Sequence, residues 1–126
     1  MRYSRILLID DDEDDQELFT AAVGQVAASV QCTVVESAQK ALQMLELGET
    51  AVDLIFLDLN MPVMSGQQFL VEKNKRAGLR DIPVIVLSTS SNADIIAKTT
   101  ALGVKKFVTK PNSFTELKMT LFHILK

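Results

Sequence analysis

Three carboxylates stand at the ends of two apolar runs. Asp10 and Asp11 follow Ile6-Leu7-Leu8-Ile9, and Asp58 follows Leu54-Ile55-Phe56-Leu57. Each run has the length of a strand buried on both faces. If the two strands lie side by side and parallel, their carboxyl ends meet at one sheet edge and the three charges converge. Like charges that close raise one another's pKa values unless a cation sits between them. A hard divalent ion with oxygen ligands answers that need, and Mg²⁺ suits a small carboxylate cluster that leaves room for a phosphate.

Two further runs end in polar groups. Val84-Ile85-Val86-Leu87 leads into Ser88 and Thr89, and Lys106-Phe107-Val108 leads into Thr109, Lys110 and Pro111. With these ends at the same edge, the site combines a metal-binding pair (Asp10, Asp11), a central carboxylate (Asp58), a hydroxyl (Ser88) and an ammonium (Lys110). That set suits phosphoryl transfer to a carboxylate oxygen, since a carboxylate can act as the nucleophile. Mg²⁺ and Lys110 would neutralise charge on the phosphoryl oxygens, and Ser88 would add a hydrogen bond.

The elements that must position these groups alternate strand and helix five times. Strands are expected at 5–9, 31–36, 53–57, 84–87 and 106–108, and helices at 13–26, 38–47, 66–77, 92–102 and 114–125. Ser65 with Gln68 and Ser113 with Glu116 fit the capping box, and Ser91 with Asp94 is a near version of it. Gly48, Gly78 and Gly103 sit where helices should stop. Strands and helices alternating through short connections predict an α/β fold: a doubly wound, five-stranded parallel sheet with helices on both faces. Such a sheet binds its ligand beyond the carboxyl ends of its strands, where the acids lie.

The 126 residues suit one domain, 1–126, without linker, repeat or output domain, and 48% apolar content excludes disorder. The single cysteine, Cys32, excludes an internal disulfide and reads as a small hydrophobe. The uncharged stretch 18–35 divides into helix end, turn and strand rather than a membrane span. Met1-Arg2-Tyr3-Ser4 runs into a strand with no secretory leader, so a cytoplasmic location and no membrane contact are expected. Residues 1–60 hold 12 acids against 3 bases, and residues 61–126 hold 4 acids against 10 bases. Much of this asymmetry comes from the acids of 10–15, and Lys105, Lys106 and Lys110 are too few for a nucleic-acid footprint. Asp12, Glu13, Asp14 and Asp15 read as acids at a helix start, which satisfy free amides and complement the dipole. Asp53 reads as solvated and His123 as a surface residue. Met119 and Phe122 fall on the flank of the last helix, as a candidate partner surface.

Taken together, Ile6-Leu7-Leu8-Ile9-Asp10-Asp11, Leu57-Asp58-Leu59-Asn60-Met61-Pro62 with Gly66, Pro83-Val84-Ile85-Val86-Leu87-Ser88, and Lys110-Pro111 resemble the receiver domain of two-component response regulators. The segments span nearly the whole chain in the family's order and spacing. The resemblance implies flavodoxin-like strand order 2-1-3-4-5 with five helices. It implies that Asp58 accepts a phosphoryl group from a sensor histidine kinase or a histidine phosphotransfer protein. Asp10 and Asp11 would hold Mg²⁺, with Asp11, Asp58 and the backbone carbonyl of Asn60 around the ion. Ser88 would bond a phosphoryl oxygen and Lys110 would pair with the phosphate, its bond to Pro111 being cis. Phe107 takes the aromatic switch position, and Thr89 stands where many relatives carry a smaller residue. The signal would reach a downstream protein through residues 92–125. The region 87–90 also resembles small stand-alone receivers linked to phytochrome-type or other sensor kinases.

Other classes fit less well. A Mg²⁺-dependent phosphatase with an aspartyl nucleophile usually places an acid two residues after it, where this chain has Asn60. A nucleotide- or flavin-binding protein would want a phosphate loop after the first strand, where Asp10-Asp11-Asp12 repels phosphate. A receiver-like docking module without chemistry would not need the complete residue set.

Overall fold

The computed structural model describes residues 3–48 and 51–126. Met1 and Arg2, read above as the lead into the first strand, lie outside them. Five strands form one parallel sheet in the order β2-β1-β3-β4-β5. They are β1 Arg5–Ile9, β2 Gln31–Val35, β3 Leu54–Leu57, β4 Val84–Ser88 and β5 Lys106–Thr109, alternating with α1 Glu13–Val26, α2 Ala38–Glu46, α3 Gly66–Asn74, α4 Ala93–Ala101 and α5 Phe114–Leu125.

Period-two alternation divides the core. Ile6 and Leu8 of β1, with Phe56 of β3, pack beneath Phe19, Ala22 and Val23 of α1 and Leu121 and Leu125 of α5. Leu7, Ile9, Ile55 and Leu57 turn to the opposite face, against Ala41 and Leu42 of α2 and Phe69 and Leu70 of α3. Strands filled on both faces are apolar throughout, as these runs are. The rings of Phe19 and Phe56 meet edge to face with centroids 5.0 Å apart, a geometry worth about 0.5–1.5 kcal/mol beyond area burial. The uncharged stretch 18–35 resolves into the end of α1, a turn and β2. Among the described residues no helix is long and apolar enough to cross a membrane.

The register brings the chemistry to one edge. Ile9 pairs with Leu57, so Asp10 and Asp58 leave adjacent strands at the same level. Ser88 pairs with Thr109, which places Lys110 one residue beyond. Asp53, exposed as expected, also accepts from the amides of Ser4 and Arg5 at 2.8 and 2.9 Å, tying the entrances of β1 and β3.

Several boundaries differ from expectation. The helix expected over 66–77 ends at Asn74, with Lys75 as cap. Lys73 is buried, and its ammonium donates to the Arg80 carbonyl at 3.0 Å, while the Asn74 side chain donates to the Leu102 carbonyl. Tertiary partners thus fold the chain into turns before Gly78, which is not a positive-φ residue, whereas Gly48 and Gly103 are. The cap of α4 is Asn92, not Ser91: its side chain accepts from the Ile95 amide. The box of Ser65 and Gln68 forms in both directions. Ser113 caps α5 by accepting from the Glu116 amide.

Candidate functional site

Asp10, Asp11 and Asp58 each place a carboxylate oxygen within 4.8 Å of the others. Asp10 and Asp58 are buried and Asp11 is exposed. The backbone explains the convergence: the Asp58 amide donates to the Ile9 carbonyl and the Asp10 amide donates to Val35, continuing the ladders one residue past the strands. One oxygen of Asp10 accepts from the Asp12 amide at 2.9 Å, and the Gln16 side chain donates to the Asp10 carbonyl at 2.7 Å. Asp12 caps α1 by accepting from the Asp15 amide. The acidic run thus continues directly into the first turn of the helix.

Lys110 enters from the end of β5, anchored by its amide donating to the Ser88 carbonyl at 2.9 Å. Its Nζ lies 3.1 Å from Asp10 Oδ2, 3.8 Å from Asp58 Oδ2 and 2.7 Å from Asp15 Oδ2. The last contact was not foreseen, because Asp15 reads as one acid among several at a helix start. A signal for it exists: Phe19 and Ala22 stand four and seven residues on, which sets Asp15 on the core-facing stripe of α1.

Burial dominates the electrostatics. It pushes the Asp58 carboxyl up to about 6, against the pull of Lys110 and with the help of Asp10. Asp10 is also raised by burial, opposed by the Asp12 amide and Lys110. Burial works against the Lys110 charge too, but Asp15, Asp10 and Asp58 together outweigh it and hold the ammonium above the ordinary lysine range. Outside the site, burial raises the Cys32 thiol to about 11, in keeping with an unreactive hydrophobe.

The hydroxyl groups form a second wall. Ser88 is fully buried, and its Oγ accepts from the Ser90 amide at 3.1 Å. The Asn60 side chain donates to Ser90 Oγ at 2.9 Å and joins the loops after β3 and β4. Thr89 is exposed and Phe107 is half-buried, packed against the α2–α3 side of the sheet. The Lys110–Pro111 bond is a correction: it was expected to be cis, but among the described residues there is no cis peptide. The trans isomer is the lower-energy form of an X–Pro bond, by about 0.5–1 kcal/mol.

Two features of the loop after Asp58 are unusual. A Cβ built on Gly66 would meet the Asp58 carbonyl oxygen and Leu59 Cα at 2.7 Å, so only glycine lets α3 start this close to the acidic edge. Val63 has φ +67°, and the Met64 amide donates across it to the Pro62 carbonyl at 2.8 Å. A γ-turn of positive φ centred on a β-branched residue is strained.

The response regulator receiver domain family matches residues 6–122, and the chain belongs to it. Two-component response regulator ORR8 of Oryza sativa subsp. indica is 30% identical over 124 residues, which is 98% of this chain and 100% of that protein. The chain spans 25% of response regulator-like APRR3 of Arabidopsis thaliana and 49% of rice ORR1. Among solved structures, the phosphorylated cyanobacterial phytochrome response regulator RcpA superposes with TM-score 0.89 at 30% identity, covering 97% of this chain and 91% of that one. The Mn²⁺-bound form of response regulator Rcp1 follows at 0.84 and 28%, covering 96% and 91%. The sheet order and the receiver assignment read from the sequence both stand. The donor set also fits a divalent metal: three hard carboxylate oxygens close together, two of them on residues that burial makes costly to ionise alone. The phosphatase alternative is not favoured: Asn60 carries no acid proton and its amide is engaged with Ser90.

Proposed function

We propose that the chain is a phosphoacceptor switch in which Asp58 takes a phosphoryl group from a histidine kinase or a histidine phosphotransfer protein. The observation that carries the reading is the gathering of Asp10, Asp11 and Asp58 within 4.8 Å, with the Lys110 ammonium 3.8 Å from Asp58. A carboxylate oxygen of Asp58 attacks phosphorus. The bond from phosphorus to the donor atom breaks, and the leaving group departs with the electron pair. Asp10, Asp11, Asp58 and the Asn60 carbonyl would hold Mg²⁺, which would supply charge neutralisation to the phosphoryl oxygens. Lys110 completes that neutralisation, and Ser88 turns its hydroxyl from the Ser90 amide to a phosphoryl oxygen. Hydrolysis of the aspartyl phosphate returns the chain to its starting state.

The added group brings roughly −1.5 to −2 of charge, if aspartyl phosphate behaves like other phosphorylated side chains. Drawing Ser88 and Lys110 inward moves the ends of β4 and β5 and the helix between them. That helix, α4, buries only Thr99 among its described residues, so shifting it disrupts little packing. Phe107 would follow inward, and Thr89 would limit access of water to the phosphoryl group. A downstream protein would read the change on 92–125, where Met119 and Phe122 are 57% and 48% exposed. All of this suits a cytoplasmic signalling protein.

Incubation with acetyl phosphate and Mg²⁺, followed by intact mass, tests the proposal. One labile phosphoryl group is expected, lost in Asp58→Asn and without metal. Uptake that persists in Asp58→Asn would overturn it.

A further inference from the structure

The nearest carboxylate to Lys110 lies outside the metal cluster. Asp15 Oδ2 accepts from Nζ at 2.7 Å, against 3.1 Å for Asp10 and 3.8 Å for Asp58. The two nearest acids differ in what release would cost them. The Asp10 side chain is 3% exposed and that of Asp15 is 40% exposed. A buried carboxylate stripped of its cation is stranded in low dielectric, whereas a half-exposed one is rehydrated by solvent. Asp15 is therefore the partner that Lys110 can leave.

The packing does little to hold the lysine stem in place on the α1–α5 side. A cavity of about 70 Å³ opens beside the lysine, with Asp10, Asp15 and Lys110 at its polar side and Leu8, Phe19 and Phe114 among its apolar walls. A stem bordering a void gives up few contacts when it pivots. A doubly charged group arriving on Asp58, a few ångströms away, then competes directly with Asp15 for one ammonium.

Resting on the receiver-site reading above, we propose that Asp15 is a positioning residue. It holds Lys110 back from Asp58 in the resting chain and releases it to the phosphoryl group, so that it sets how tightly that group is held. Asp15 thus opposes capture, although its charge adds to an acidic, metal-attracting edge.

The test uses beryllofluoride as a phosphoryl mimic, its affinity measured by calorimetry at saturating Mg²⁺ on the full chain. Asp15→Asn should bind it about fivefold tighter, the scale of a partly exposed ion pair. Asp15→Glu should restore the original affinity. In a Lys110→Gln background Asp15→Asn should change nothing, because there is no ammonium to release. Unchanged or weaker binding in Asp15→Asn overturns the inference. So does a gain that persists without Lys110, which would be a plain effect of removing negative charge. If the unsubstituted chain binds no beryllofluoride with Mg²⁺, the receiver-site reading itself fails and takes this inference with it.

Discussion

Asp58 Oδ2 and Lys110 Nζ are 3.8 Å apart, close enough for charge attraction and too far for a hydrogen bond. The lysine satisfies Asp10 and Asp15 first, and the buried Asp58 is left under-compensated. The buried Asp58 is thus an anion that its surroundings disfavour and that a nearby cation can relieve.

The pH dependence of stability follows from that. The Asp58 carboxyl is raised from 3.8 to about 6. For a carboxyl raised in the folded state, the favourable contribution is full below the unfolded value and is lost as pH rises through the folded one. Above about pH 6 the ionised group therefore costs the fold up to roughly 3 kcal/mol. Asp58→Asn should be more stable than the unsubstituted chain by about 1–3 kcal/mol at pH 7.5 in chelator. The difference should shrink as pH falls from 6 toward 4. Urea unfolding of both proteins across that range checks it, and a less stable Asp58→Asn at pH 7.5 would show that the cost is absent.

Gly66 controls the approach of α3 to the site. Adding a methyl there forces the Asp58 carbonyl oxygen and Leu59 Cα apart from it, since both would lie 2.7 Å away. Gly66→Ala should lower stability by about 1–3 kcal/mol and slow phosphoryl uptake by displacing Asp58. Urea unfolding and the time course of mass gain with acetyl phosphate measure the two effects. Uptake at the original rate would mean that the loop yields without moving the nucleophile.

Val63 stores strain where nothing is buried to compensate. Its φ is +67° and it is 89% exposed. A positive φ costs a β-branched L-residue about 1–2 kcal/mol, and asparagine adopts it more readily. Val63→Asn should raise stability by about 1 kcal/mol, read as a higher urea midpoint with unchanged slope. A lower midpoint would show that the valine side chain makes a contribution larger than its strain.

Much of this was legible in the sequence because it depends on short-range pattern. The runs before Asp10 and Asp58 are apolar at every position, which happens when a strand is covered on both faces; with strands and helices alternating, such strands lie parallel and bring both acids to one edge. Ser88 and Lys110 followed from the same logic on β4 and β5. What depends on side chains meeting across elements was hidden. The Asp15–Lys110 contact joins residues 95 apart, and Asp15 is masked by its acidic neighbours. The Asn60–Ser90 bond depends on two loops folding toward each other. The end of α3 is set by the buried Lys73 and by Asn74 reaching Leu102, which overrode the glycine that marks a stop at 78. The isomer of Lys110–Pro111 separates two states of similar energy, and no local pattern decides between them.

The most direct test of Asp58 as phosphoacceptor is chemical. After reaction with acetyl phosphate and Mg²⁺, borohydride reduces an aspartyl phosphate to homoserine, and peptide mass mapping locates the altered residue. Homoserine at position 58 is expected, and only when metal is present. Homoserine at position 10, 11 or 15, or a phosphoryl group that resists reduction, would contradict the account.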